Sequence, residues 1–303
     1  MMNQRYKQQV ELLIQILPLI DKQPSFAIKG GTAINLFWHD MPRLSVDIDL
    51  VYLPLENRSE ALKNIRSALD ELKSIVEKHI KGVRVDISQS GSVESKLFVS
   101  NPSVQVKIEV NTTIRGSIYE PVEKELSTKA QDIFESFSAN KILAYEDLMG
   151  GKLCAALDRQ HPRDLFDIKQ LISRSGITEE ISIAFTGYLV SHSRPMHELL
   201  NPNFQDISEV FNNEFEGMTD ESCSVNQLTE VLEALPHKLL SQMSDHEKEF
   251  IFSVKKGDPN WGLYPVSHAI DLQAIQWKLR NIRNMSTQKH KEALKNLEKV
   301  LSQ

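Results

Sequence analysis

The stretch Phe26-Ala27-Ile28-Lys29-Gly30-Gly31-Thr32-Ala33, with Arg43-Leu44-Ser45-Val46-Asp47-Ile48-Asp49-Leu50 after it, decides how this chain of 303 residues is read. Phe26–Ile28 reads as a short buried strand that stops at the glycines. A helix beginning there and running through Ala33 to Phe37 aims its first backbone N–H groups at whatever sits over the turn. Val46 to Tyr52 reads as a second strand, ended by Pro54. Side chains alternate along a strand, so Asp47 and Asp49 project from one face while Val46, Ile48 and Leu50 enter the core. A glycine turn beside an acid pair suits a nucleoside triphosphate. The turn, Gly30 and Gly31, holds phosphate and the carboxylates hold Mg²⁺, with a second ion available to activate an attacking hydroxyl.

Working outward, Arg5 to Leu19 reads as a first helix, with Val10, Leu13, Ile14 and Leu17 at helical spacing. After the acid pair, Ser59 to Ile80 reads as a long amphipathic helix. Ser59 is its expected N-cap, and Ala61, Ile65, Leu69, Leu72 and Val76 form its apolar side. Strand-like runs follow at Val83–Ile87, Val93–Val99 and Val104–Val110. In the last, Val104, Val106, Ile108 and Val110 alternate with Gln105, Lys107 and Glu109. From Ser138 the pattern is helical, first over roughly Asn140–Asp158 and then Pro162–Arg174, with Gly150-Gly151 weakening the first of these locally. Strands confined to the first ~110 residues and helices thereafter predict an α+β fold. The softest boundary, at Ser173–Thr178, divides the chain into residues 1–175 and 176–303.

Several side chains carry two readings. Glu109 is either a third metal ligand beside Asp47 and Asp49 or a member of a surface cross-strand pair with Lys107 or a neighbour. Thr32 either caps the following helix or holds a phosphate oxygen. Lys29 either neutralises phosphate or lies along the surface, Arg43 is placed to reach a phosphate, and Ser45 reads as structural. A second cluster pairs Lys152 with Arg163-Asp164-Leu165-Phe166-Asp167. Lys152 lies in a helix of small apolar residues, where a buried ammonium needs a partner. Asp164 and Asp167 share one helix face just after Pro162, a position where acids also complement the helix dipole. No GxSxG, HExxH, GxxxxGK[ST] or GxGxxG competes with this reading.

Composition is that of a globular protein, 41% hydrophobic and 25% charged. The two cysteines, Cys154 and Cys223, form neither CxxC spacing nor a disulfide framework and fit a reducing compartment. The N-terminus leads into an amphipathic stretch rather than a signal peptide. The apolar run Leu12–Ile20 is broken by Gln15 and Pro18 and is too short to span a bilayer. A cytoplasmic location without membrane contact is therefore expected. The net charge of −6 is uneven: residues 176–276 hold 16 acidic and five basic residues, while 277–303 hold seven basic and two acidic. An RNA partner is repelled by the first block and attracted to the second.

Together these residues resemble the AbiEii/AbiGii toxin nucleotidyltransferases. The glycine turn and Arg43–Leu50 are similar to the family's first motif, and Gly151-Lys152 through Asp167 to its later ones. Arg194-Pro195, Phe215-Glu216-Gly217-Met218-Thr219 and Trp277-Lys278-Leu279-Arg280-Asn281-Ile282 resemble its C-terminal half. The resemblance implies a polymerase-β-like nucleotidyltransferase core with a helical C-terminal domain, acting as a toxin in phage defence or plasmid maintenance. It also implies a winged-helix antitoxin encoded nearby. An NTP substrate (GTP or a pyrimidine NTP) and an RNA acceptor, tRNA in related toxins, come with it. So do Asp47 and Asp49 as metal ligands, Gly31 and Thr32 as phosphate binders, and Lys152 and Asp167 as essential groups. Arg163 and Asp164 are then expected to orient the nucleotide or Lys152. Many members carry Gly-Ser where this chain has Gly31-Thr32, which preserves the hydroxyl.

Overall fold

The computed structural model describes residues 3–90 and 93–302; the reading that touches Met1 and Met2 lies outside the described residues. The chain forms two compact units, Met1–Leu148 with Glu216–Ser222, and Met149–Phe215 with Cys223–Gln303. The soft segment 173–178 lies inside the second unit. Helix α6 (Pro162–Arg174) packs there against α10 (Val225–Gln242), which keeps residues before 175 with those that follow.

The first unit is built on a mixed sheet of strands β1 (Phe26–Lys29), β2 (Asp47–Tyr52), β3 (Arg84–Ser90), β4 (Val93–Ser100), β5 (Gln105–Asn111), β6 (Val122–Glu125) and β7 (Ala139–Ile142). Their order is β3-β4-β5-β2-β1-β7-β6. β2 runs antiparallel to β1 and parallel to β5, and β1 is parallel to β7. Helices α1 (Gln4–Ile20) and α3 (Arg58–His79) pack on the sheet and on each other. Ile48 and Leu50 of β2 and Val106, Ile108 and Val110 of β5 are buried, while the alternate positions Asp47, Asp49, Lys107 and Glu109 are half-buried. Period-2 alternation thus sorts one apolar and one charged face from the same two strands.

Three local expectations change. The cap of α3 is Asn57, whose side chain accepts the Glu60 N–H at 3.1 Å, so the helix starts before Ser59. The strands also extend past residue 111. Ala139–Ile142, expected in a helix, is a strand that pairs with β1 and β6, because Ile142 completes the buried row beside Ile28. Helix α5 (Tyr145–Arg159) follows it and runs unbroken through Gly150-Gly151.

The second unit is helical. α7 (Glu179–Ser191), α8 (Met196–Leu200), α9 (Ser208–Glu214), α11 (Asp245–Lys256), α12 (Gln273–Arg283) and α13 (Thr287–Leu301) join α6, α10 and the larger part of α5. Gly150 is where α5 meets α7: a Cβ there would stand 2.7 Å from Phe185 N. Buried Glu247 ties α11 to α7. Its carboxylate accepts the Ser182 and Thr186 hydroxyls at 2.8 and 3.0 Å while closing a capping box with Ser244. No helix among the described residues is long and apolar enough to cross a membrane.

Candidate active site

In the first unit, the site grows from the junction of β1 and β2. Gly30 opens helix α2 (Gly30–Ala33), which continues as a π-helical turn over Ile34–Trp38. Its φ of +69° is left-handed, and a Cβ there would overlap the Asp49 carboxylate. Gly31 is confined differently: a Cβ would lie 2.8 Å from Arg43 Nη2 and 2.9 Å from Ser45 Oγ. Both glycines therefore exist for close approach, one to the acid and one to the cation. Arg43 is 2% exposed and donates to the Leu44 carbonyl at 2.8 Å.

Thr32 is buried, and its hydroxyl lies 2.5 Å from the Asp47 carbonyl, to which it donates, and 3.1 Å from Ser45 Oγ. These bonds are not a helix cap: Thr32 fastens the glycine turn to the start of β2. The segment carrying Arg43 and Ser45 has a second fastening that sequence reading passed over. Residues 216–222 return to the first unit, where the Met218 carbonyl accepts the Leu44 N–H at 2.7 Å and the Thr219 hydroxyl donates to the Pro42 carbonyl at 2.7 Å. The resemblance around Gly217-Met218-Thr219 was the available signal, but nothing local tied it to Arg43.

Asp47 and Asp49 share the half-buried face of β2. Glu109 stands in register beside Asp49, and Lys107 beside Asp47. Glu109 is ion-paired at 3.0 Å to Lys107, two residues away on the same strand, and to Lys96 across on β4. Burial raises the Glu109 pKa, but the hydrogen bonds and charges of the two lysines outweigh it and hold the carboxyl below its ordinary value. For Lys107, burial favours the neutral amine, but Asp47, Glu109 and Asp49 more than reverse that and raise its pKa. Among the described residues, no group of three His, Cys, Asp or Glu side chains is arranged to hold a metal ion. Two carboxylates on one strand face still fit Mg²⁺, which takes hard oxygen donors. It is usually held by one or two carboxylates together with substrate phosphates rather than by an all-protein cage.

The second unit holds the other cluster. His161 caps α6 by accepting the Arg163 N–H at 3.1 Å, and Pro162 occupies the first turn. This presents Asp164 and Asp167, both almost fully buried, to Lys152 of α5. Its Nζ lies 2.7 Å from Asp164 Oδ1 and 3.1 Å from Asp167 Oδ2. The partner that a buried Lys152 requires is thus a pair of carboxylates. Arg159, the last residue of α5 and not among the expected ones, adds a two-point pair to Asp164 at 2.6 and 3.1 Å. Burial alone pushes the Asp164 carboxyl up, but Lys152 and Arg159 overwhelm it and hold it far below the usual carboxylate range. Arg163 turns instead toward Glu214, whose carboxylate also meets His161 Nε2 at 3.1 Å. Lys152, Asp164 and Asp167 are brought together; Arg163 is not with them.

The sequence matches, over residues 11–254, a family model described as nucleotidyl transferase AbiEii toxin, type IV TA system. Among solved structures, the chain is similar to MenT4, nucleotidyltransferase toxin Rv2826c from Mycobacterium tuberculosis H37Rv. The TM-score is 0.62 at 12% identity, covering 92% of this chain and 95% of that chain, a likeness of fold. No curated protein matches the chain.

Proposed function

Because the chain belongs to the AbiEii family of nucleotidyl transferase toxins of type IV toxin–antitoxin systems, we propose that it transfers a nucleoside monophosphate from an NTP to an RNA acceptor, tRNA, with Mg²⁺. Family membership carries the coarser statements: a nucleotidyltransferase, an NTP substrate, a divalent metal and an antitoxin partner. The observation that supports the finer reading is the fit of Gly30 against Asp49 and of Gly31 against Arg43. Phosphate held at the glycine backbone is thereby adjacent to both an acid and a guanidinium.

Asp47 and Asp49 are the residues that would hold Mg²⁺, which supplies charge neutralisation at the transferring phosphorus when bound. Gly30 and Gly31 accept the β,γ-phosphates, with Arg43 behind them. Thr32 is proposed to hold phosphate with them, its hydroxyl also fixing the turn to β2. In the second unit, Lys152 and Asp167 are the proposed essential groups; Asp164, itself fixed by Arg159, holds the Lys152 ammonium in place. The RNA acceptor is supported by Lys289, Lys291, Lys295 and Lys299, all exposed on α13. The proposed antitoxin is a winged-helix protein encoded nearby, and the proposed location is the cytoplasm, where NTP and tRNA are available.

Each of the four α-labelled NTPs, incubated with the protein, Mg²⁺ and a total extract, tests the acceptor. The label is expected in the tRNA fraction with one preferred NTP. Label confined to protein or small molecules would replace RNA with that acceptor class, a result that the 16 acidic residues of 176–276 would then explain.

A further inference from the structure

Glu109 is the third carboxylate on the face of Asp47 and Asp49, and both of its oxygens are engaged. Lys96 Nζ stands 3.0 Å from Oε1 and Lys107 Nζ 3.0 Å from Oε2. The arrangement is built into strand register. Lys96 faces Glu109 across β4 and β5, Glu109 faces Asp49 across β5 and β2, and Lys29 faces Asp49 across β2 and β1. One row further along, Lys107 faces Asp47. Lys96 and Lys29 thus close the two ends of a row in which Glu109 and Asp49 stand side by side, a like-charge contact that the neighbouring ammonium groups offset.

A divalent ion at Glu109 would share each oxygen with an ammonium or displace it. Like charges only a few ångströms apart repel strongly in a half-buried setting, where water screens them poorly. The charge count points the same way: Glu109 with its two ammonium groups sums to a formal +1, the charge that Glu109 with one divalent ion would carry. We propose that Lys96 and Lys107 stand in electrostatically for a second divalent ion. They keep Glu109 out of metal coordination, so that the site binds one Mg²⁺ per nucleotide. Both lysines are positioning residues that act through Glu109. The inference rests on Asp47 and Asp49 being the metal-holding pair.

Counting Mn²⁺ by electron paramagnetic resonance, in the full chain saturated with a non-hydrolysable NTP analogue, tests this without turnover. One Mn²⁺ per bound nucleotide is expected for the wild type, for Lys107→Arg and for Glu109→Gln. The double variant Lys96→Met/Lys107→Met is expected to take a second Mn²⁺ at least tenfold more tightly than the wild type does. A wild-type count of two, or loss of the single ion in Glu109→Gln, would overturn the inference while leaving the nucleotidyl-transfer reading in place. Nucleotide binding with no protein-dependent Mn²⁺, unchanged in Asp49→Ala, would overturn the underlying assignment of the acid pair and the inference with it.

Discussion

Gly30 and Asp164 show how much rests on single side chains. An alanine at Gly30 meets two obstacles: a left-handed backbone that costs an L-residue roughly 1–2 kcal/mol, and the Asp49 carboxylate where its Cβ must go. Gly30→Ala is expected to weaken nucleotide binding and transfer at least tenfold while retaining the far-UV circular dichroism of the wild type. Nucleotide titration checks this. Asp164 makes a pH prediction. Its folded pKa lies below the unfolded value of about 3.9, so the unfolded chain binds more protons as the medium turns acid. Its stabilisation is complete above about pH 5 and is lost as pH falls through the unfolded value toward the folded one. Asp164→Asn leaves Lys152 with one carboxylate fewer. It is expected to cost roughly 3–5 kcal/mol near neutrality and about 1 kcal/mol less at pH 3, as measured by urea unfolding at both pH values.

At the scale of elements, the returning segment 216–222 and the packing of α5 on α7 carry the predictions. Thr219→Val removes the bond to the Pro42 carbonyl, worth about 1 kcal/mol. By loosening the segment that carries Arg43, it is expected to raise KM for NTP more than it lowers kcat, which steady-state kinetics resolve. Gly150→Val is expected to lower Tm by several degrees, because the added side chain meets the α7 backbone rather than a flexible side-chain end. These elements also mark what was legible in the sequence. β2 and β5 were readable because alternation over Ile48–Leu50 and Val106–Val110 records their buried face directly, and β1 as a short apolar run ending at the glycines. β6 and β7 were not: each is four residues long, and β1, the strand that β7 joins, is more than a hundred residues away from it in sequence. Lys152, Asp164 and Asp167 were readable as a set through the chemical need of a buried amine. Arg159 lies just past the helix end expected at Asp158, and the tie of Met218 and Thr219 to the Arg43 segment exists only in three dimensions.

Across the whole molecule, charge is distributed by unit rather than by motif. The acidic block lies mostly in the second unit, and so does the basic α13, with Lys278 the exception among the seven basic residues in being buried. Burial, with the charge of Lys255 in second place, pulls the Lys278 pKa down to about 8, and its ammonium is held by the His192 and Arg194 carbonyls. Lys278 therefore belongs to the architecture, and the four exposed lysines of α13 are left to meet RNA. Their joint replacement by glutamine is expected to flatten the salt dependence of RNA binding, by roughly 0.7 in the log–log slope for each phosphate that is no longer neutralised. The central claim is nucleotidyl transfer at Asp47 and Asp49, and parallel reactions with α-labelled and γ-labelled NTP test it most directly. The account predicts that α-label alone moves to the acceptor, with pyrophosphate released, and that Asp49→Ala abolishes the transfer while keeping the wild-type fold. Transfer of γ-label, or α-label moved equally well by Asp49→Ala, would contradict it.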